Sequence, residues 1–331
     1  MKKLLILPLI IILVFNVSCQ NDRHKEVSVT PKKTSNILLL GLDDAAQNMD
    51  VLCFVSYSDN NEISFVQIPR DTYLNFGGTQ NKINQIYSFY RATLDSKDAM
   101  SEAVVQIASA LSVPLDGFIA ITTKGLARGI NALGGIDIET SQGGLFTDEF
   151  DGNPITLNVG VNHLSGEDCV QFLRYRKGYL TADLGRLDAQ KLFFRGVIKK
   201  FSQPVSMDSL IRAFLLVQND LITNLNMLDF IRLRAGGMDA LTEASVNYVT
   251  LPGEAAISDR GLSYYVLNRK GAMEVTSRYL FASANEFDKD KKFLKANDVS
   301  FANIYNDPNN SYHVYDNETL SGISIPKKQK S

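Results

Sequence analysis

The hydrophobic pattern of the chain changes character at Asn36. Asn-Ile-Leu-Leu-Leu-Gly (36 to 41) is an unbroken apolar run closed by glycine, the mark of a strand covered on both faces. Val51 to Tyr57 and Ile63 to Ile68 read as two further strands, with Ser58 to Glu62 as the turn between them. Helical periodicity follows over Lys82 to Tyr90 and over Ala99 to Leu111, where Val113-Pro114 breaks it. Gly117 to Thr122 is a strand, 123 to 133 a helix capped by Gly134-Gly135, and Ile136 to Ile138 a short edge strand. Ser165, with Asp168 three residues on, opens a short helix. Phe172 to Arg176 then reads as a strand and Leu184 to Lys200 as a long helix. Further helices are expected over 206 to 219, 226 to 236 and Gly271 to Leu280, and late strands over Ser245 to Leu251 and Leu262 to Val266. Strands interleaved with helices predict a layered α/β fold. No internal repeat is visible.

Charges gather where these strands end. Asp43 and Asp44 follow the first strand, Asp50 precedes the second, and Pro69-Arg70-Asp71-Thr72 closes the third. In layered α/β proteins ligands sit outside strand ends, so the placement points to a binding edge. Residues 174 to 190 add to it, with Arg174 and Arg176 two apart and Arg186 and Gln190 four apart, same-face spacings on a strand and on a helix. Arginine is permanently charged and forks onto planar or tetrahedral oxyanions, so the cluster suits phosphate or carboxylate. The competing reading pairs these arginines with Asp183 and Asp188 on a solvated surface. Asp43 or Asp44, taken alone, is better explained as a loop cap after a strand. Several opposite charges at the strand ends of one lobe are costly to assemble without a ligand.

Composition narrows the function. The chain has 331 residues, 45% of them apolar, enough for one well-buried domain. Lys plus Arg total 34 against 36 for Asp plus Glu, so the net charge of -2 supports neither a nucleic-acid coat nor a polybasic membrane patch, and an anion site must be local. Residues 1 to 19 have a charged start, an apolar run from Leu4 to Val17, then Ser18 and Cys19, the form of a signal peptide or membrane anchor. The run falls short of the roughly 20 residues that span a bilayer as a helix. A small residue before Cys19 matches a lipoprotein cleavage and lipidation site, while Asn16 departs from it; an uncleaved anchor and free secretion are the other outcomes. All three place the domain outside the cytoplasm. Residues 20 to 35 form a polar linker, 36 to 299 the folded domain, and 300 to 331 a polar tail. Cys53 and Cys169 stand in apolar settings, as buried free thiols do.

Several segments together resemble one family. NILLLGLDD, FVQIPRDTYL, NKIN, ALGGIDIE, NHLSGEDCVQFLRYRK and DLGRLDAQ occur in the order found in the LytR-CpsA-Psr family of cell-wall glycopolymer ligases, over about residues 36 to 200. The resemblance implies an extracytoplasmic three-layer α-β-α sandwich, around a central mixed sheet, that binds a polyprenyl-pyrophosphate-linked glycan at the membrane. It implies transfer of the phosphoglycan to a peptidoglycan hydroxyl in cell wall biogenesis, assisted by Mg2+ or Mn2+. Asp43 and Asp50 match the family's acidic positions and are the metal candidates. Arg70, Arg174, Arg176 and Arg186 match its phosphate-binding arginines, with Gln190 as a neutral donor. Asp50, Arg70 and Arg176 are the catalytic candidates, Asp50 as the base toward the sugar hydroxyl.

Chemistry asks for these residue types. A pyrophosphate diester carries two charges and builds more around the transferring phosphorus, so the site needs fixed cations and a hard metal ion. Lys82 and Asn84 serve either the site or merely a helix start, and Asp71 is placed to orient Arg70 or Lys82. His163 reads as structural. Tyr87, Phe89 and Tyr90 suit core packing or, as the minor reading, a lipid lining, and the apolar face of Leu210, Ile211, Phe214 and Leu215 suits core packing or a groove for an isoprenoid chain. Ala45 and Asn48 stand where the family often has arginines. Two other functions fit the same residues: hydrolysis of the pyrophosphate, and non-catalytic lipid-phosphate binding. No glycine-rich nucleotide loop is present.

Overall fold

The computed structural model describes residues 34–43, 45–58, 60–146, 154–176, 178–203, 207–225, 245–258, 260–288, 293, 312–321, 323 and 325. Cys19 with the N-terminal segment, Asp44, the side chains of Leu210 and Ile211, and the helix expected over 226 to 236 lie outside this description. Among the described residues no helix is long and apolar enough to cross a membrane.

Seven strands build the central sheet. In chain order they are β1 (Thr34–Leu42), β2 (Met49–Ser58), β3 (Glu62–Gln67), β6 (Gly117–Thr122), β11 (Leu221–Thr223), β12 (Ser245–Thr250) and β15 (Val314–Tyr315), arranged β11-β6-β1-β2-β3-β12-β15. The β1/β6 and β3/β12 pairs are parallel and the other four antiparallel, so the sheet is mixed. Four two-stranded pairs decorate it: β4 (Tyr73–Phe76) with β5 (Thr79–Lys82), β7 (Ile136–Thr140) with β10 (Gly160–Leu164), β8 (Gly144–Phe146) with β9 (Ile155–Leu157), and β13 (Gly253–Ile257) with β14 (Ser263–Leu267). The predicted edge strand at Ile136 is therefore real but belongs to one of these pairs. The helices are α1 (Ile86–Arg91), α2 (Ser96–Ala110), α3 (Thr123–Ala132), α4 (Gly166–Arg174), α5 (Asp183–Phe201), α6 (Met207–Val217), α7 (Arg269–Leu280) and α8 (Asn317–Ser321).

Both faces of the sheet are covered, which explains the unbroken apolar runs. Along β1, Ile37 and Leu39 enter one core with the buried side chains of α4 and α5, while Leu38, Leu40 and Leu42 enter the other with those of α1, α2 and α7. Alternate side chains of one strand feeding two cores is the three-layer arrangement. Helix α5 is buried on nearly all sides. Its Gly196 lets it press on β7, since a Cβ there would stand 2.5 Å from the Asp137 carbonyl oxygen.

Two expectations are corrected. Phe172 to Arg176 is not a strand, because α4 runs to Arg174 and only Tyr175, at φ -59 and ψ 128, leaves the helix. The capping box between Ser165 and Asp168 starts this helix, and buried Cys169, Phe172 and Leu173, at three- and four-residue spacing, hold it on the core. The polar composition beyond Val299 predicts a loose tail, yet part of it docks. Val314 and Tyr315 extend the sheet along β12, and Leu320, Ile323 and Ile325 are buried in the α5-side core. The Lys191 ammonium lies 5.4 Å from the Tyr315 ring centroid, and the Ser141 hydroxyl donates to the Ile323 carbonyl at 2.5 Å. Truncating Leu320 to alanine is therefore expected to destabilise the protein by about 2–4 kcal/mol in urea unfolding, where a loose tail would give no change.

Candidate functional site

The end of the sheet formed by the close of β1, the start of β2 and the close of β3 gathers the charged residues. Gly41 pairs with Val51 but Leu42 with Met49, so Asp50 is the extra residue of a β-bulge. Bulges re-aim a side chain, and this one turns Asp50 toward the segment after β3. There the Pro69-Arg70-Asp71-Thr72 turn is tied by the Thr72 amide and hydroxyl, both donating to the Pro69 carbonyl at 3.0 and 2.6 Å. Arg70 donates from Nη1 to Asp50 Oδ1. Helix α5 brings the second arginine, with Arg186 Nη1 4.0 Å from Asp50 Oδ1 and Nη2 2.9 Å from Asp183 Oδ1. Asp183 Oδ1 is also 3.6 Å from Arg70 Nε. Two guanidiniums and two carboxylates thus share one crevice.

Arg186 is only 2% exposed. Burial weakens its hold on the proton, Asp183 opposes that, and repulsion from Arg70 and Arg176 reinforces it, so its pKa lies below the ordinary arginine value. At Arg70 burial acts the same way, but attraction to Asp50 and Asp183 outweighs it and the pKa is raised. Arg176 thus belongs to the same electrostatic neighbourhood, although 10 residues of chain separate it from Arg186.

One residue bonded to this crevice escapes the sequence reading. Gln67, the last residue of β3 and 1% exposed, donates from Nε2 to the Leu187 carbonyl at 3.0 Å and to Gln190 Oε1 at 3.2 Å, while its Oε1 accepts from the Thr250 hydroxyl at 3.2 Å. These bonds fix the Gln190 amide and leave its Nε2 unpartnered. The available signal was a glutamine in the apolar run Phe65-Val66-Gln67-Ile68, on the face shared with Phe65. Among the described residues, Gln190 Nε2, Arg186 Nε and Nη2, and Arg70 Nε are all buried without a hydrogen bond. Buried donors are rarely left this way in the absence of a ligand, and all of these suit an anion.

The remaining candidates surround this core. Asp43 follows β1 and closes the loop to β2, accepting from the Gln47 amide at 2.8 Å through Oδ1 and from Asn48 Nδ2 at 2.9 Å through Oδ2. Asn48, where the family often has arginine, serves here as a loop clamp. Each Asp43 oxygen retains a lone pair, and Asp43 and Asp50 bracket one loop at one strand end, so their hard oxygens suit a cation that also takes phosphate and water. Among the described residues no group of three or more metal-ligating side chains occurs. Lys82 pairs with Asp71 at 3.1 Å and lies 6.0 Å from the Tyr264 ring centroid. Asn84 donates its backbone amide to the Arg70 carbonyl at 3.2 Å. Arg174 ends α4, one residue short of the turn that delivers Arg176. His163 bonds Asp137 at 2.6 Å on the surface.

Beyond the charged end an apolar cavity opens between the sheet, α3 and α5. Its volume is about 60 Å³, and it is lined by Leu39, Phe65, Leu133, Phe194, Val197 and Phe201 among others. The aromatic run does not reach it, since Tyr87 is buried in the opposite core and Phe89 is exposed against Phe76 and Tyr90. Phe214 packs on Leu133, so α6 backs the cavity wall.

Comparison with known proteins agrees with this architecture. The LytR_cpsA_psr family profile matches residues 15–279. The chain is 26% identical over 265 residues to the polyisoprenyl-teichoic acid–peptidoglycan teichoic acid transferase TagU of a Bacillus cereus strain, covering 78% of this chain and 82% of that one. Among solved structures, B. subtilis TagV superposes with a TM-score of 0.62 at 22% identity, over 77% of this chain and 100% of that chain. TagT bound to LI-WTA gives 0.59 at 20% identity, over 78% and 95%. The α/β fold with its seven-stranded mixed sheet is the fold of these proteins, and the chain belongs to the LytR-CpsA-Psr family.

Proposed function

We propose that the protein is an extracytoplasmic phosphotransferase that moves a phosphoglycan from a polyprenyl-pyrophosphate carrier to a peptidoglycan hydroxyl. The observation that carries this reading is the composition of α5. Arg186 and Gln190 present donors to the charged crevice, and Phe193, Phe194, Val197 and Phe201 of the same helix line the apolar cavity. At 1.5 Å per residue the helix joins the two over roughly 20 Å. An anionic head continuous with a long hydrocarbon tail is the ligand that satisfies both ends. The relatives named as polyisoprenyl-teichoic acid–peptidoglycan transferases support the same class.

In this reading Arg70, Arg176 and Arg186 hold the pyrophosphate and meet the charge that builds on the departing polyprenyl phosphate oxygen. Gln190, set by Gln67, donates to a phosphoryl oxygen, and Arg174 and Lys82 with Asp71 border the glycan side. The acceptor hydroxyl oxygen bonds to the glycan-bearing phosphorus as the bond to the leaving phosphate breaks, and Asp50 takes the hydroxyl proton. A magnesium or manganese ion held by Asp43 and Asp50 would supply charge neutralisation at the phosphoryl oxygens and a lowered hydroxyl pKa.

With labelled lipid-linked glycan and a peptidoglycan oligomer, label is expected in the oligomer. Label released only as free glycan phosphate would make the protein a hydrolase, and binding without turnover would make it a lipid-phosphate-binding wall protein. Arg186→Gln is expected to lower kcat/KM by about 100-fold or more while circular dichroism stays native. Val197→Trp, which fills the cavity, is expected to weaken binding of long-chain polyprenyl pyrophosphates at least tenfold while leaving inorganic pyrophosphate affinity unchanged. Equal loss for both probes would detach the cavity from the lipid.

A further inference from the structure

Asp183 is in ionic contact with both arginines but aligned with neither. Its Oδ1 lies 2.9 Å from Arg186 Nη2 and 3.6 Å from Arg70 Nε, yet Asp183 Oδ1, Arg186 Nη2 and Arg70 Nε are all buried atoms that make no hydrogen bond. A carboxylate settled as a permanent structural partner of arginine forms parallel, linear N–H···O bonds. Here it stands in the crevice as a close counter-charge without that alignment.

The backbone that carries it is strained. Ala182 has φ 48 and ψ -108, and the Leu184 amide donates to the Thr181 carbonyl at 3.1 Å. This is a turn of type II′ with alanine at the position that ordinarily takes glycine. An alanine persists there only when surrounding interactions hold it: the Ala182 amide donates to the Tyr179 carbonyl at 3.2 Å, its carbonyl accepts from the Arg186 amide at 3.3 Å, and Asp183 contacts the two guanidiniums. The neighbouring Leu180 and Leu184 are 64% and 40% exposed, so no packing of theirs pins the turn.

We propose that Asp183 is a displaceable latch: its carboxylate, set between Arg70 and Arg186, occupies the place of a phosphoryl oxygen, and an incoming pyrophosphate expels it by rotation about Ala182. The proposal rests on the anion-binding reading of this site and adds to it how the site discriminates. A ligand must outcompete an internal anion held at high effective concentration, so a doubly charged diphosphate enters where a singly charged phosphodiester does not. Asp50 differs from Asp183 in that Arg70 makes a hydrogen bond to it. It stays in place while Asp183 leaves.

Calorimetric titration of the full chain in detergent with sodium pyrophosphate tests this. Asp183→Asn, which keeps shape and removes charge, is expected to bind at least tenfold more tightly than wild type, and Asp183→Glu to return affinity to within about threefold of wild type. Ala182→Gly relaxes the closed turn and is expected to weaken binding about fivefold, opposite in sign to Asp183→Asn. If Asp183→Asn binds equally or more weakly, or Ala182→Gly leaves affinity unchanged or raised, while Arg186→Gln abolishes binding, the latch is wrong and the anion site stands. If wild type and Arg186→Gln bind pyrophosphate alike, or neither binds, both the latch and the anion site are overturned.

Discussion

Taking a guanidinium out of water is among the most expensive things a fold can do, and Arg186, almost wholly buried at the head of α5, is where this protein does it. The arrangement around it follows from that cost. Asp50 is turned out of the β1/β2 ladder by a bulge, Asp183 is delivered by a tight turn, and Arg70 is threaded between them. Four charges in a crevice offset one another without exhausting their hydrogen-bonding capacity. The charge pairing offsets the cost of burial, while donors on Arg70, Arg186 and Gln190 are left without a hydrogen bond.

Helix α5 turns this local balance into an axis. Its first two turns face polar partners, and its next three face aromatic and branched side chains on the sheet, including the stack of Phe65 on Phe194 with centroids 5.0 Å apart. Strand β3 makes the same transition in step, since Phe65 lines the cavity and Gln67 meets Gln190. A helix and a strand running side by side, each changing from apolar to polar at the same level, divide the protein interior into two solvents. The glycine at 196 lets α5 lie close to β7, and the docked C-terminal segment packs against α5 as well.

Much of this was legible in the chain. Double-sided strands betray themselves as unbroken apolar runs, so β1, β2, β3 and β6 were readable, as was α5 from its length and period. The meeting of Arg70 and Arg186 at Asp50 was expected from the charges at the strand ends and the spacing on the long helix. What escaped had contextual causes. The strand expected at Phe172 was a helix because capping and core packing at one end decided a stretch whose propensity is ambiguous. Gln67 was hidden because a polar residue inside an apolar strand looks like noise until its partner, more than a hundred residues away, is seen. Asp183 was visible only as an arginine partner, since neither the strain at Ala182 nor the misalignment of the ion pair is written in residue types. Leu320, Ile323 and Ile325 were missed because three apolar residues in a polar stretch show no period.

The docking of those last residues bears on how the molecule comes to be built. The Ser141 hydroxyl finds its acceptor 182 positions later in the chain, and the Asn36 amide in the first strand finds one of its acceptors 244 positions later. A polypeptide made from its amino end therefore holds an open sheet edge and an uncovered helix flank until the segment from Val314 to Ile325 has been made. Closure of the domain waits for Leu320, Ile323 and Ile325, and a chain arrested short of them keeps that flank bare, a target for chaperones and proteases.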